Sequence, residues 1–281
     1  MLRLILPLLI LGCLALAQSP AAIKVHGHRG ARALRPENTL PAFEYAIAAG
    51  VDALELDMAV TRDNVIVVSH DPFLEPPVCF GPQPKAMIRQ LTLAEVKQWD
   101  CGAKQNPLFP KQQPVPGTRM PTLDEVFDLA PRGKFLFNIE TKSFPDHPEL
   151  TPPPEEFARL VLAVVRKHHL ESRVVLQSFD FRTLHAMKKL APEIRRAALW
   201  EGRPRSFVEI GKEAEAQIVS PQFRLVTPEQ VKAAHAAGFE VLPWTPNAPA
   251  EWKRLVDAGV DGIITDDPAA LIAFLSPRPH P

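Results

Sequence analysis

Surplus charge is the first thing this sequence lacks: 32 lysines and arginines face 32 aspartates and glutamates over 281 residues. A chain of zero formal net charge offers no bulk field for a polyanion, which removes nucleic acid as a default partner. Cysteine is scarce, at three residues, and no Cys/His spacing of the zinc-binding kind occurs. No glycine-rich phosphate fingerprint follows the first apolar run, which weighs against a doubly wound dinucleotide sheet. Internal repeats and low-complexity tracts are absent. So are apolar runs long enough to span a bilayer, the stretch Leu4 to Leu14 being too short.

That stretch reads instead as an export signal. Arg3 supplies a basic start, Leu4 to Leu14 the apolar centre and Ala15-Leu16-Ala17 a small-x-small cleavage site. The expectation is a signal peptide over residues 1–17, leaving a periplasmic or secreted chain with no stable membrane span. A lipoprotein tethered through Cys13 is a weaker alternative, because Cys13 is followed by more apolar residues rather than a polar tether. An uncleaved anchor ranks last. With Cys13 removed, Cys79 and Cys101 remain as an even pair in an oxidising compartment, and a disulfide between them is expected.

Beyond the signal, β-rich runs alternate with helical patterns. Strands are expected at 23–27, 53–60, 134–140, 173–179, 194–200, 216–221, 239–245 and 262–265. Helices between them carry apolar faces such as Leu40, Phe43 and Ile47, or Phe157, Leu160, Val161 and Val164. Asn38 or Thr39 can cap the first helix and Gly50 can end it. Eight β/α units over residues 23–275 predict a closed (β/α)8 TIM barrel. A further β run at 64–71 and a Pro- and Gly-rich stretch at 72–120 break the alternation, with one helix expected at 91–100. The stretch is expected as an insertion over the barrel mouth, pinned by the Cys79–Cys101 bridge.

Chemistry enters with Glu55-Leu56-Asp57. Strand side chains alternate, so Leu54, Leu56, Met58 and Val60 share the helix-facing side and both carboxylates point into the barrel. Alone, two such acids suit a solvated strand. Glu140 and Lys142 repeat the pattern at another strand end, and three carboxylates at one mouth make an all-oxygen site suited to Ca²⁺ or Mg²⁺. His28 and His70 also fall at C-terminal strand ends, where barrel active sites sit. With Arg29 and Lys142 beside them, a divalent cation and two imidazoles form a site suited to cleaving a phosphodiester.

The motifs HRG at 28–30, PENT at 36–39, ELD at 55–57, SHD at 69–71, NIETK at 138–142, QSFD at 177–180, PWT at 243–245 and DGIITDDP at 261–268 occur in this order. Together they resemble the glycerophosphodiester phosphodiesterase family, in its exported bacterial form, over nearly the whole mature chain. The resemblance implies a TIM barrel that hydrolyses small glycerophosphodiesters to sn-glycerol 3-phosphate and an alcohol. It implies one divalent cation, Ca²⁺ favoured over Mg²⁺, on Glu55, Asp57 and Glu140. It also implies an acid/base pair in His28 and His70, and phosphate contacts from Arg29 and Lys142. His28 is favoured as the base and His70 as the acid. Trp244 stands as either a wall of the substrate pocket or a packing aromatic, and Phe179 leans toward packing. Glu37 is expected to brace Arg29, His26 to be structural, and the run Asp266-Asp267-Pro268 to cap the last helix. A phospholipase D-like enzyme acting on lysolipids or sphingomyelin, and a catalytically silent glycerophospho-binding barrel, remain as alternatives. The former should show an apolar lip near the mouth, whereas the Pro-, Gln- and Lys-rich insertion favours water-soluble diesters.

Overall fold

The computed structural model describes residues 22–276. The expected signal peptide, Cys13 and the end of the tail lie outside the described residues. Eight parallel strands form the barrel: β1 (Lys24–Gly27), β2 (Ala53–Val60), β4 (Leu136–Thr141), β5 (Val174–Ser178), β6 (Arg195–Trp200), β7 (Ile218–Pro221), β8 (Glu240–Val241) and β9 (Gly262–Thr265). They follow one another around the ring, and β9 pairs with β1. A parallel bridge from Trp244 to Ile264 completes the circuit.

Alternation decides which side chains go inward. Leu54, Leu56, Met58 and Val60 join the main apolar core beneath the surrounding helices, together with Phe43, Phe157 and Val161. Inside the barrel, Val175, Ala197, Ile218, Leu242 and Ile264 pack together as an apolar plug on the β5–β9 side. The other side is polar. Helices start where the sequence can hold them: Thr227 accepts a hydrogen bond from the Gln230 amide and Asp180 from that of Arg182. Proline opens the helices Pro154–Lys167, Pro228–Ala236, Pro249–Ala258 and Pro268–Leu275, at positions where no amide donor is needed.

Three expectations change. The strand at 239–245 is reduced to Glu240–Val241, because Pro243 has no N–H to pair. The run at 64–71 contributes only β3 (Ile66–Val68), an antiparallel addition to β2 rather than a barrel strand. The helix at 91–100 shrinks to Leu93–Val96, held by a capping box between Thr92 and Glu95.

The insertion has a small core of its own, in which Leu74, Ile88, Val96, Trp99 and Met120 surround the Cys79–Cys101 disulfide. It is fastened to the loop after β1: the Gln112 side-chain amide donates to the Arg32 carbonyl at 2.8 Å and the Gln113 amide to the Leu34 carbonyl at 3.0 Å. None of the residues lining the mouth cavity comes from 72–120.

Candidate active site

The site begins where β1 ends. Arg29 and Gly30 take left-handed backbone conformations, with φ of 49° and 85°. A Cβ on Gly30 would come within 2.7 Å of the Ala42 backbone, so only glycine fits there. This turn aims the Arg29 amide at Glu55 Oε2, 2.8 Å away. It also sends the Arg29 guanidinium between Glu37 Oε1 at 2.6 Å and Asp57 Oδ2 at 3.2 Å. Glu37 thus braces Arg29, and Arg29, buried, neutralises acids rather than standing free.

Glu55, Asp57 and Glu140 converge, with one oxygen from each lying within 4.8 Å of the others, and all three are buried. Burial pushes the Glu55 carboxyl well above its ordinary range, reinforced by the neighbouring charge of Asp57. It also pushes Glu140 upward, against the pull of Lys142. For Asp57 burial works the same way, yet the positive charges of Arg29, His70 and Lys142 prevail and hold it far below. Other partners fix the rotamers. Gln177 Nε2 donates to Glu55 Oε1 at 2.7 Å, Asn38 Nδ2 to Asp57 Oδ2 at 2.9 Å and Lys142 Nζ to Glu140 Oε1 at 2.9 Å. Two fixed cations against three buried acids leave negative charge uncompensated. A hard divalent cation fits that donor set.

The histidines sit on either side. His28 Nδ1 lies 2.5 Å from Asp266 Oδ1 and its Nε2 lies 4.0 Å from Glu55 Oε2. Asp266 is itself clamped by Asn247, whose Nδ2 donates to Oδ2 at 2.7 Å and whose Oδ1 accepts from the Asp266 amide. Burial lowers the basicity of His28, with Asp266 opposing that effect. His70 is half-exposed, its Nδ1 lying 2.8 Å from Asp71 Oδ1. Each imidazole thus has one nitrogen on a carboxylate.

These residues line one cavity of about 440 Å³, with Trp244, Phe179, Leu199, Glu201 and Arg32 completing the wall. Trp244 and Phe179 meet edge to face at 5.6 Å, and the indole N–H donates to the Ser220 carbonyl. Both aromatics therefore line the pocket as well as packing on each other. Lys142 Nζ lies 5.8 Å from the Phe179 ring centre. Every residue expected at the site is here.

Asp266, Gln177, Arg32 and Asn38 are among the contributors that sequence reasoning did not place at the site. Asp266 and Gln177 continue the inward faces of Ile264 and Val175 by steps of two, a signal available but unused. Asp267 alone caps the last helix, accepting from the Ala270 amide. Arg32 and Asn38 lie in an irregular loop that carries no period. His26 sits deeper in the barrel, near Asn138 Nδ2 at 3.5 Å, as a structural residue.

A sequence model described as the glycerophosphoryl diester phosphodiesterase family matches residues 28–270. A glycerophosphodiester phosphodiesterase of Caldanaerobacter subterraneus subsp. tengcongensis is 35% identical, over 88% of this chain and 96% of the relative. A crystal structure from Silicibacter pomeroyi DSS-3 superposes with a TM-score of 0.85 at 34% identity, covering 92% of this chain and 94% of that one. The structure of an Oleispira antarctica phosphodiesterase in complex with the product sn-glycerol-3-phosphate gives 0.78 at 25% identity, covering 90% and 97%.

Proposed function

This chain belongs to the glycerophosphoryl diester phosphodiesterase family, and we propose that it hydrolyses glycerophosphodiesters by metal-supported acid/base catalysis between His28 and His70. The observation that carries this is the convergence of two carboxylate-anchored imidazoles and three buried acids on one cavity. The relative that carries sn-glycerol-3-phosphate as product supports the substrate class.

In the neutral imidazole of His28, the proton belongs on Nδ1, where the Asp266 carboxylate accepts it. Nε2 is then an open lone pair facing the mouth, suited to taking a proton from the attacking hydroxyl. In the acid role, His70, steadied by Asp71, delivers a proton to the departing alcohol. Lys142 and Arg32 place positive charge along the cavity wall for the phosphate oxygens. Arg29 reaches the phosphate less directly, since its guanidinium already holds Glu37 and Asp57. Glu55, Asp57 and Glu140 would hold a divalent cation, Ca²⁺ before Mg²⁺, which supplies Lewis-acid stabilisation of phosphate charge.

Release of glycerol 3-phosphate from glycerophosphocholine, compared in Ca²⁺, Mg²⁺ and EDTA, is the direct test. Chelation should abolish turnover and Ca²⁺ should restore it best. Full activity in EDTA would remove the metal from the reading. Export belongs to the same proposal: the N-terminal sequence of the mature protein should begin after Ala17. Among the described residues, no helix is long and apolar enough to cross a membrane.

A further inference from the structure

Asn138 stands at the border between the polar and apolar sides of the barrel interior. On β4 it lies in register with Val175 of β5 on one side and with Glu55 of β2 on the other. It is buried, as are Gln177 and Glu55. A barrel interior ordinarily places a branched apolar side chain at such a position. Asn138 moreover keeps its Oδ1 buried with no hydrogen-bond partner among the described residues. An orphaned buried acceptor costs stability and so calls for a physical reason.

That reason lies in how the amides are joined. Glu55 receives one N–H on each carboxylate oxygen, from the Arg29 amide on Oε2 and from Gln177 Nε2 on Oε1. A glutamine side chain can turn either its nitrogen or its oxygen toward a neighbour. With the nitrogen on Glu55, Gln177 Oε1 faces Asn138, whose Nδ2 donates to it at 2.9 Å. Reversing Asn138 would set oxygen against oxygen. Gln177 would relieve that clash only by turning its own oxygen onto the Glu55 carboxylate. Donation therefore runs one way, from Asn138 through Gln177 to Glu55, and the orphaned Asn138 Oδ1 is what that direction leaves over. Behind Asn138, His26 Nδ1 lies 3.5 Å from the same nitrogen, a long contact that adds little.

We propose that Asn138 is a positioning residue for the cation site: it acts through Gln177, fixing the direction of that amide so that an N–H, never a carbonyl oxygen, meets Glu55 Oε1. The inference rests on the phosphodiesterase reading, in which Glu55 is a ligand of a divalent cation. Asn138 itself does not line the mouth cavity. Each Glu55 oxygen engages one fixed N–H, which sets the plane of the carboxylate and aims its remaining lone pairs. Outer partners of this kind hold a ligand in its binding orientation. With the Gln177 amide reversed, a carbonyl oxygen would repel the carboxylate and spoil its convergence with Asp57 and Glu140.

The test measures Ca²⁺ affinity by calorimetry, on protein stripped with EDTA and dialysed. Gln177→Met should weaken binding by about 10- to 100-fold. Asn138→Leu, which leaves Gln177 in place, should weaken it by about tenfold. The double variant should match Gln177→Met within about twofold, because a residue acting through Gln177 has nothing to lose once Gln177 is gone. Half-maximal turnover of glycerophosphocholine should need correspondingly more Ca²⁺ in each variant. Asn138→Val carries the same expectation if leucine overfills the barrel, and urea titration identifies the variants that fold. Wild-type affinity in the folded Asn138 variant, a larger loss there than in Gln177→Met, or losses that multiply in the double variant would overturn the relay. A wild type that binds no divalent cation would overturn the relay and the metal site together. The expected order of affinities in a protein that cleaves no glycerophosphodiester would leave the relay standing and sink the phosphodiesterase reading.

Discussion

His26 and His28 stand two positions apart at one strand, yet they serve opposite ends of the barrel. His28 meets a carboxylate at 2.5 Å and faces the mouth. His26 lines a pit at the other end, beside Lys24, Asp52, Arg195 and Glu240. The charges differ in the same way. At the mouth, Glu55, Asp57, Glu140 and Arg29 are buried. At the pit, Lys24–Asp52 and Arg195–Glu240 are pairs of largely solvated side chains. Buried like charges cost stability and hold chemistry, whereas exposed pairs cost little and do little. On the proposed function, one end of the barrel carries the reaction and the other closes the fold.

The largest test of that division removes a buried acid. Asp57→Ala should lower kcat/KM by about 10³-fold or more, since the cation site accounts for several kcal/mol of phosphate stabilisation. Its divalent-ion affinity, read by calorimetry, should fall in parallel. Turnover within tenfold of wild type would mean that the acids are structural and that the two ends are alike.

Next come the histidines themselves. His28→Ala should reduce turnover by about 10²-fold or more, and His26→Gln should leave it within a few-fold. Asp266→Asn separates orientation from substrate binding. If Asp266 holds the proton on Nδ1, kcat should drop by about 10²-fold with KM little changed, and the acidic limb of the pH–rate profile should move. A loss confined to KM would make Asp266 part of the substrate wall.

Much of this contrast was legible in the chain. Period-two alternation from Leu54 to Val60 was enough to send Glu55 and Asp57 inward, and the same rule placed Glu140. Applied once more, from Ile264 to Asp266 and from Val175 to Gln177, it would have found the partners of His28 and Glu55. The doublet Asp266-Asp267 concealed this, because both residues suit a helix cap and only Asp267 is one. Arg32 and Asn38 were beyond reach as site residues. They depend on how an irregular loop and an insertion lie against each other, and that is fixed by contacts such as Gln112 to the Arg32 carbonyl, which no periodicity encodes.

The pit can be broken by acid. Burial lowers the His26 pKa from 6.5 to about 4, with Asp52 opposing and Arg195 and Lys24 assisting. The unfolded chain therefore binds the His26 proton first, and stability falls as pH drops from about 6.5 toward 4, then loses nothing more below that. The contribution at stake is about 3 kcal/mol. Urea titrations at pH 7 and pH 4 should show the wild type losing that much more than His26→Gln. Equal losses in the two proteins would place His26 in contact with water.

The smallest effect is the sharpest control on the comparison. Arg195 Nη2 and Glu240 Oε1 lie 2.7 Å apart, which is as short as many contacts at the mouth, but the side chains are 41% and 52% exposed. Solvent screens such a pair and ordering two long side chains offsets the attraction, so distance alone overstates its worth. A double-mutant cycle with Arg195→Ala and Glu240→Ala should return a coupling of about 0.2–1 kcal/mol that shrinks in salt, with turnover untouched. A coupling of several kcal/mol would show that the pit excludes water as the mouth does. In that case burial, rather than which end of the barrel a charge occupies, would fail to separate the catalytic charges from the structural ones.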